Sequence, residues 1–262
     1  MAVNAEEHIA AAMALRGRVL VAYSGGVDSA LVAKIAQDTL GADALAVITD
    51  TETLSRRELH DALATAAEIG IECLVVPMSE LGSAAYRENR PDRCYFCRQG
   101  LAGVLVPLAA ARGFPAIADG VHRSDLGDVR PGIRAMDEAG FWHPLLEAGL
   151  DKGGVRTLAA DLGLSVWDRP SNACLSSRVR QGELITLETL RRVEAAEEVL
   201  HDLEFRQVRV RHSGTSARVE VGSGEVPRLL SPPIAASVTE RLRSLGYAEV
   251  ELDPAGYRQG GA

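Results

Sequence analysis

Between Val19 and Ser29 the chain reads V-L-V-A-Y-S-G-G-V-D-S, and this stretch limits the fold more than any other. The run from Arg18 to Tyr23 predicts a short buried strand. Ala30–Leu40 brings Leu31, Val32, Ile35 and Ala36 round at helical spacing and stops at Gly41. The order is therefore strand, glycine turn, helix. Such a turn aims backbone N–H groups and the positive end of a helix dipole at one point, which is an anion site. Gly25 and Gly26 let the backbone approach a phosphate with no Cβ in the way. Ser24 and Ser29 add hydroxyl donors. Asp28 repels a bare phosphate, so it points to a bound Mg²⁺ or a held water. Two glycines alone would mark only a tight turn in an α/β sheet. The whole hexapeptide between a buried strand and a helix is more specific, and it is neither a Walker A loop nor G-x-G-x-x-G.

More strands and helices alternate behind this turn. Ala44–Asp50 is a second buried strand ending on a carboxylate, and Ser55-Arg56-Arg57-Glu58 is a capping box opening a helix that runs to Gly70. Ile71–Pro77 is a third strand, and Ala116–Asp119 a fourth. Arg90–Cys97 reads as a loop, with a helix over Arg98–Arg112. This alternation predicts an α/β fold, a doubly wound and mostly parallel sheet. Ser24, Asp50, Asp119 and Gly120 then fall at the carboxyl edge of the strands, where such sheets bind ligands. Past Arg180 the pattern changes to helix, two alternating strands, helix and strand. That predicts a small C-terminal α+β domain, with the division at 1–180 and 181–262.

Composition narrows the function classes. A net charge of −8 argues against a nucleic-acid partner. No run of eighteen apolar residues is present and no signal-peptide pattern opens the chain, so the expectation is a cytoplasmic protein with no membrane partner. Lysine occurs twice, at Lys34 and Lys152, and the remaining basic charge is arginine. An oxyanion site here is expected to use guanidinium forks. Arg209 and Arg211 alternate along a predicted strand and so share one face. They are candidates for holding a substrate phosphate or carboxylate, set against a plain solvated strand face.

Four cysteines occur, Cys73, Cys94, Cys97 and Cys174. Cys73 lies in an apolar run and reads as packing. Cys94-Tyr95-Phe96-Cys97 is a C-x-x-C. A thioredoxin-like site, a zinc knuckle and coincidence are the alternatives, but no second C-x-x-C is present for zinc. Cys174, in P-S-N-A-C-L-S-S-R, reads either as a thiol activated by Arg178 or as a half-buried loop residue. Three thiols meeting at the sheet edge would suit a 4Fe–4S cluster with one open iron. Asp125 and Asp128 read either as Mg²⁺ neighbours or as turn formers.

S-G-G-V-D-S resembles the PP-loop of the ATP pyrophosphatases, which cradles the β,γ-pyrophosphate of ATP. Together with R-P-D-R-C-Y-F-C, A-D-G-V-H-R-S-D-L-G-D-V-R-P-G and A-C-L-S-S-R, in that order over nearly the whole chain, it resembles the LarE sulfur transferases. The resemblance implies an ATP-dependent enzyme that adenylates a carboxylate of pyridinium-3,5-biscarboxylic acid mononucleotide. Sulfur then replaces the adenylate, toward the nickel-pincer nucleotide of lactate racemase. It implies ATP, Mg²⁺ and a small-molecule nucleotide as ligands. It places Ser24, Gly25, Gly26, Asp28 and Ser29 on the phosphates of ATP and Cys174 at the position of the sulfur-donating cysteine; the strand-edge reading adds Asp50, Asp119 and Gly120 to the ATP site, and Asp28, Arg209 and Arg211 join Cys174 as candidates for the chemistry. The C-x-x-C places the chain in the branch where Cys94, Cys97 and Cys174 hold a 4Fe–4S cluster; in the other branch the protein's own cysteine gives up its sulfur. A homo-oligomer, up to a hexamer, is implied as well. A PP-loop tRNA thiolase, another PP-loop adenylating enzyme and a non-catalytic nucleotide sensor are the competing readings.

Overall fold

The computed structural model describes residues 2–127, 131–170 and 173–258. In chain order the first elements are α1 (Ala2–Arg16), β1 (Val19–Ala22), α2 (Val27–Leu40), β2 (Ala44–Asp50), α3 (Arg56–Ile69) and β3 (Cys73–Pro77). Next come α4 (Ala84–Arg87), α5 (Arg93–Arg112), β4 (Ala116–Ala118), α6 (Pro131–Glu138), α7 (Pro144–Glu147) and α8 (Lys152–Asp161). The last are α9 (Leu187–Asp202), β5 (Val208–Ser213), β6 (Ser216–Val221), α10 (Val226–Leu229), α11 (Pro232–Ser244) and β7 (Glu249–Leu252).

The first of two units comprises Met1–Glu80 and Asp92–Asn172. Its sheet has the order β3-β2-β1-β4, with every pair parallel. Both faces are covered, which is why β1 is apolar throughout and β2 is apolar from Ala44 to Ile48. Val19, Val21, Ala44, Ala46 and Ile48 join one core with residues of α1, α2 and α8. Leu20, Leu45 and Val47 join a second core with Leu101, Leu105 and Ala109 of α5. The order places β2 on one side of β1 and β4 on the other. The crevice beyond the carboxyl ends of β1 and β4 is thus a topological switch point, the usual ligand position in such sheets.

Helix α5 starts earlier than its sequence suggests. The loop expected over Arg90–Cys97 is in its second half the first turn of this helix, with Asp92 at the N-cap position. Asp92 makes no side-chain cap hydrogen bond, so the start of the helix is not set by capping. Packing then holds the turn: Tyr95 donates to Glu138 at 2.6 Å, and Arg134 lies over its ring at 4.5 Å. By length and composition α5 is apolar enough to cross a membrane, but Leu101, Ala102, Leu105 and Ala109 are buried against the sheet.

The second unit comprises Leu81–Pro91 and Ala173–Ala262. Its sheet order is β5-β6-β7, antiparallel between β5 and β6 and parallel between β6 and β7. Val208, Val210, Val219, Ala196, Leu200, Val238, Leu242 and Tyr247 form its core. This division differs from the one expected after residue 180, because hydrogen bonds recruit two earlier segments. Tyr86 and Ser176 share a hydroxyl contact of 2.7 Å, and the Asn89 amide donates to the carbonyls of Val179 and Arg180. Asn89 takes a positive φ of 52°, which its short amide side chain tolerates.

Candidate functional site

The turn after β1 is built by two different glycine requirements. Gly25 has φ +73°, and a Cβ there would lie 2.4 Å from the Cβ of Ala62 on α3. Gly26 has an ordinary extended conformation, φ −74° and ψ 158°, and forms the N-cap of α2 with no side-chain cap hydrogen bond. The opening amides of this 14-residue helix therefore have no capping side chain, the condition under which a helix start takes an anion. Inside the turn, Ser29 Oγ accepts from Ser24 N at 3.1 Å and lies 3.0 Å from Ser24 Oγ. Both hydroxyls sit at the same mouth. Gly120, two residues beyond β4, closes the other side: a Cβ there would come within 2.9 Å of Asp28 Cβ and Ser29 N.

Asp28 meets a residue that the motif does not announce. Lys152 Nζ, at the start of α8, lies 2.7 Å from each carboxylate oxygen. His122 Nε2 approaches the same carboxylate at 3.6 Å, and its Nδ1 lies 3.3 Å from Asp125 Oδ2. The His122 side chain is only 6% exposed. The loop mouth therefore carries an acid, an amine and an imidazole. Sequence reasoning passed over Lys152 and His122. The signal for Lys152 was the scarcity of lysine together with Asp151, which caps α8 by accepting from Gly154 N at 2.8 Å. Asp128 lies outside the described residues.

Asp50 ends β2 and Asp119 directly follows β4, but they are engaged differently. Asp50 accepts from Arg56 at 2.6 Å. It borders an open groove of about 390 Å³ with Thr51, Glu52, Pro77, Met78 and Ser79. Asp119 accepts from Val121 N and lies 2.7 Å from His143 Nδ1; His143 Nε2 lies 2.9 Å from Asp137. Burial opposes a charge on this imidazole, but the two carboxylates outweigh it and raise its pKa to about 9.

The cysteines fall into three environments. Cys73 packs against the core, and burial pushes its thiol up to about 11, so it is an inert packing residue. Cys94 and Cys97 lie one turn apart on α5, so both thiols leave the same helix face. Gly132 of α6 lets that helix approach the first turns of α5: a Cβ there would lie 3.1 Å from Arg98 Cγ and 3.4 Å from the Cys94 carbonyl oxygen. Cys174, in the second unit, precedes a 3₁₀ turn over Leu175–Arg178. There Arg178 donates to the carbonyls of Ala173 and Cys174 and pairs with Glu197.

Arg209 and Arg211 share the β5 face opposite the valines, as the alternation implies. Arg209 is buried, with its guanidinium 5.0 Å from the Tyr257 ring. Arg211 donates to Glu220 and to the Ser177 carbonyl, and Arg218 reaches the other Glu220 oxygen. Neither arginine stands on a bare solvated face. Trp142 is covered by Arg16 at 3.7 Å, which gives it a packing role.

Comparison with known proteins decides the family. Residues 6–100 match the family model described as NAD synthase. The protein slr1717 of Synechocystis sp. is 42% identical over 243 residues, 93% of this chain and 91% of that protein. The pyridinium-3,5-bisthiocarboxylic acid mononucleotide synthase of Lactiplantibacillus plantarum is 36% identical over 244 residues, 93% of this chain and 88% of that enzyme. The chain belongs to the LarE family. It is an ATP-dependent sulfur transferase of the PP-loop superfamily. Similarity to the tRNA-specific 2-thiouridylase MnmA of a Caulobacter species, 32% identity over 195 residues, is confined to 59% of this chain and 47% of that enzyme.

For a LarE-family protein, the fit of the implied cofactors can be tested on this chain's own donors. Mg²⁺ takes carboxylate oxygens, and Asp28 presents two at the phosphate loop, with Lys152 as the counter-charge that the ion would displace. A four-iron cluster takes thiolates, and Cys94 and Cys97 supply two on one helix turn. Among the described residues, no three His, Cys, Asp or Glu side chains gather as a metal site. The pair fits as part of a ligand set and does not complete one.

Proposed function

We propose that this LarE-family enzyme adenylates a carboxylate of pyridinium-3,5-biscarboxylic acid mononucleotide and replaces the adenylate with sulfur. The observation that carries the first half is the uncapped start of α2 beneath Ser24–Ser29, with Asp28 and Lys152 at its mouth. A carboxylate is a poor acyl donor because its oxygen does not leave. Attack of that oxygen on the α-phosphorus of ATP breaks the α–β bridge, releases pyrophosphate and leaves an acyl adenylate. The loop amides and the Ser24 and Ser29 hydroxyls hold the departing pyrophosphate. Lys152 turns from Asp28 to the phosphates as they bind, supplying a cation where negative charge collects. Mg²⁺ held by Asp28 would screen the same charge. Asp50 and the Asp119–Gly120 turn border the nucleotide at the strand ends.

The second half runs through Cys174 by one of two branches, as a cluster ligand or as a sulfur donor in its own right; in the second branch Cys174 reacts directly. Its thiolate attacks the acyl carbon and expels AMP, forming a thioester. Removal of the Cys174 α-proton then breaks the Cβ–S bond, leaving a thiocarboxylate on the product and dehydroalanine in the chain. The C-x-x-C points to the other branch, in which Cys94, Cys97 and Cys174 would hold a 4Fe–4S cluster that supplies the sulfide; the thiol pair on α5 supports it. Arg209 and Arg211 of β5 are the candidates for the anionic groups of the substrate nucleotide, with Glu220 as the carboxylate that an incoming anion would displace from Arg211. A cytoplasmic site suits four free cysteines, and a homo-oligomer, up to a hexamer, is the assembly we propose on the family resemblance.

Cys174→Ala, assayed with ATP and the dicarboxylate nucleotide, tests the reading: thio-product is lost and pyrophosphate release survives. Retained thio-product removes Cys174 from the mechanism. Mass spectrometry of the wild-type chain after one turnover then separates the branches. Loss of one H₂S from Cys174 means sacrifice, and an unchanged chain means relay. A tRNA thiolase is the second reading, favoured by the likeness to MnmA; thiolated tRNA in place of thiolated nucleotide would select it.

A further inference from the structure

The segment from Ala173 to Arg178 is tied down more heavily than a loop of that length requires. The Arg178 side chain is 1% exposed, and its Nε and Nη2 form a two-point pair with Glu197 at 2.9 and 3.1 Å. Its remaining nitrogen, Nη1, turns back on its own loop. It donates to the Ala173 carbonyl, to the Cys174 carbonyl at 3.0 Å and to Ser177 Oγ at 3.1 Å. Glu197 is anchored in turn, since Oε1 also accepts from Val210 N at 3.0 Å. Two further ties reach the same turn: Arg211 donates to the Ser177 carbonyl at 3.1 Å, and Tyr86 meets Ser176 Oγ at 2.7 Å.

A buried ion pair is a weak way to stabilise a fold, because desolvation consumes most of the Coulomb gain and apolar residues of like volume do as well or better. What a buried guanidinium fork supplies is direction: several donors in one rigid plane. Here that plane links β5 and α9 of the second unit to the two carbonyls flanking the Cys174 Cα. We propose that Arg178 is a positioning residue for Cys174: held by Glu197, it fixes the peptide planes on either side of that residue and so sets the line along which the thiol leaves the loop. The proposal rests on the reading of Cys174 as the reacting thiol. Its physical basis is that sulfur attack on an acyl carbon needs near-attack geometry, and an ångström of slack in the backbone lowers the rate by about a hundredfold.

Arg178→Lys keeps the charge opposite Glu197. A single ammonium cannot hold a carboxylate at two points and two carbonyls together. The full-length variant is compared with wild type in three readouts: thermal melting, iodoacetamide alkylation of Cys174 followed by peptide mass spectrometry, and the two half-reactions. The expected result is a cooperative melt, thio-product formation down by about tenfold with the KM for ATP within about twofold, and Cys174 alkylation changed by about threefold or more. Glu197→Gln, which keeps the acceptor for Arg178 Nε but loses the charge, moves the same readouts in the same direction by less. Alkylation and sulfur transfer within about twofold of wild type in a folded Arg178→Lys protein overturn the proposal. Loss of the cooperative melt in both variants also overturns it, since the pair would then be holding the fold. Failure of the parent reading looks different: Cys174→Ala would still make thio-product, whereas here Cys174 stays essential and Arg178 proves dispensable.

Discussion

Lys152 Nζ lies 2.7 Å from both carboxylate oxygens of Asp28, a pairing that spans 124 positions of sequence. The two side chains are 29% and 30% exposed, so the pair adds about 1 kcal/mol or less to stability. Its value lies in placing an ammonium at the phosphate loop. Lys152→Met is expected to change urea-unfolding stability by less than about 1 kcal/mol while slowing pyrophosphate release by about a hundredfold. A coupled pyrophosphate assay beside the unfolding curve checks it. Unchanged release would take Lys152 out of the adenylation step.

The two loop glycines should fail in different ways. Gly25→Ala combines a left-handed backbone, φ +73°, with a methyl 2.4 Å from Ala62 Cβ, so it is expected to destabilise the fold by about 2 kcal/mol or more. Gly26→Ala meets only Ser24 Oγ at 3.5 Å and keeps a permitted backbone. It is expected to melt within about 0.5 kcal/mol of wild type but to bind ATP about tenfold more weakly. Thermal melts and calorimetric titration with ATP separate the two effects.

His143 sets a pH dependence whose direction follows from its partners. Its folded-state pKa, about 9, lies above the ordinary imidazole value of 6.5 because Asp119 and Asp137 outweigh the effect of burial. The stability it contributes is therefore fully present below pH 6.5 and is lost as pH rises through about 9. Wild type should exceed His143→Gln in unfolding free energy at pH 6, with the gap closing toward pH 9.5. Urea melts of both proteins across about pH 6–9.5 measure this; a gap that is flat or widens with pH contradicts it.

The thiol pair on α5 makes the cluster branch testable without turnover. Anaerobic incubation with iron and sulfide is expected to colour the wild-type protein brown, with broad absorption in the blue. Cys94→Ser, Cys97→Ser and Cys174→Ser should each weaken or abolish the colour, while Cys73→Ser should not, because that thiol packs in the core. A colourless wild-type product that binds zinc instead would reject the cluster.

Much of the phosphate loop was legible because its parts are local. A buried strand, two glycines, two serines and a helix lie within a few residues, and short-range sterics and hydrogen bonding leave them little else to form. The parallel sheet followed from the same kind of pattern, since strands buried on both faces must be apolar throughout. The start of α5 was misplaced because Arg-Pro-Asp resembles a break until Tyr95 is seen against Glu138 and Arg134. Residues 81–91 could not be assigned to the second unit from their own composition. What places them there is hydrogen bonding of Tyr86 and Asn89 to residues about ninety positions away.

The sequence by itself determined the α/β frame, the serine–glycine turn between β1 and α2 and the identity of the candidate thiols, because each rests on residues adjacent in the chain. Only the tertiary structure decided what stands opposite them. Lys152 against Asp28, His143 between Asp119 and Asp137, and Arg178 between Glu197 and the Cys174 carbonyl are all pairings of charge with charge or dipole. A charge carries no periodicity, so its partner is known only once the backbone has brought the two together.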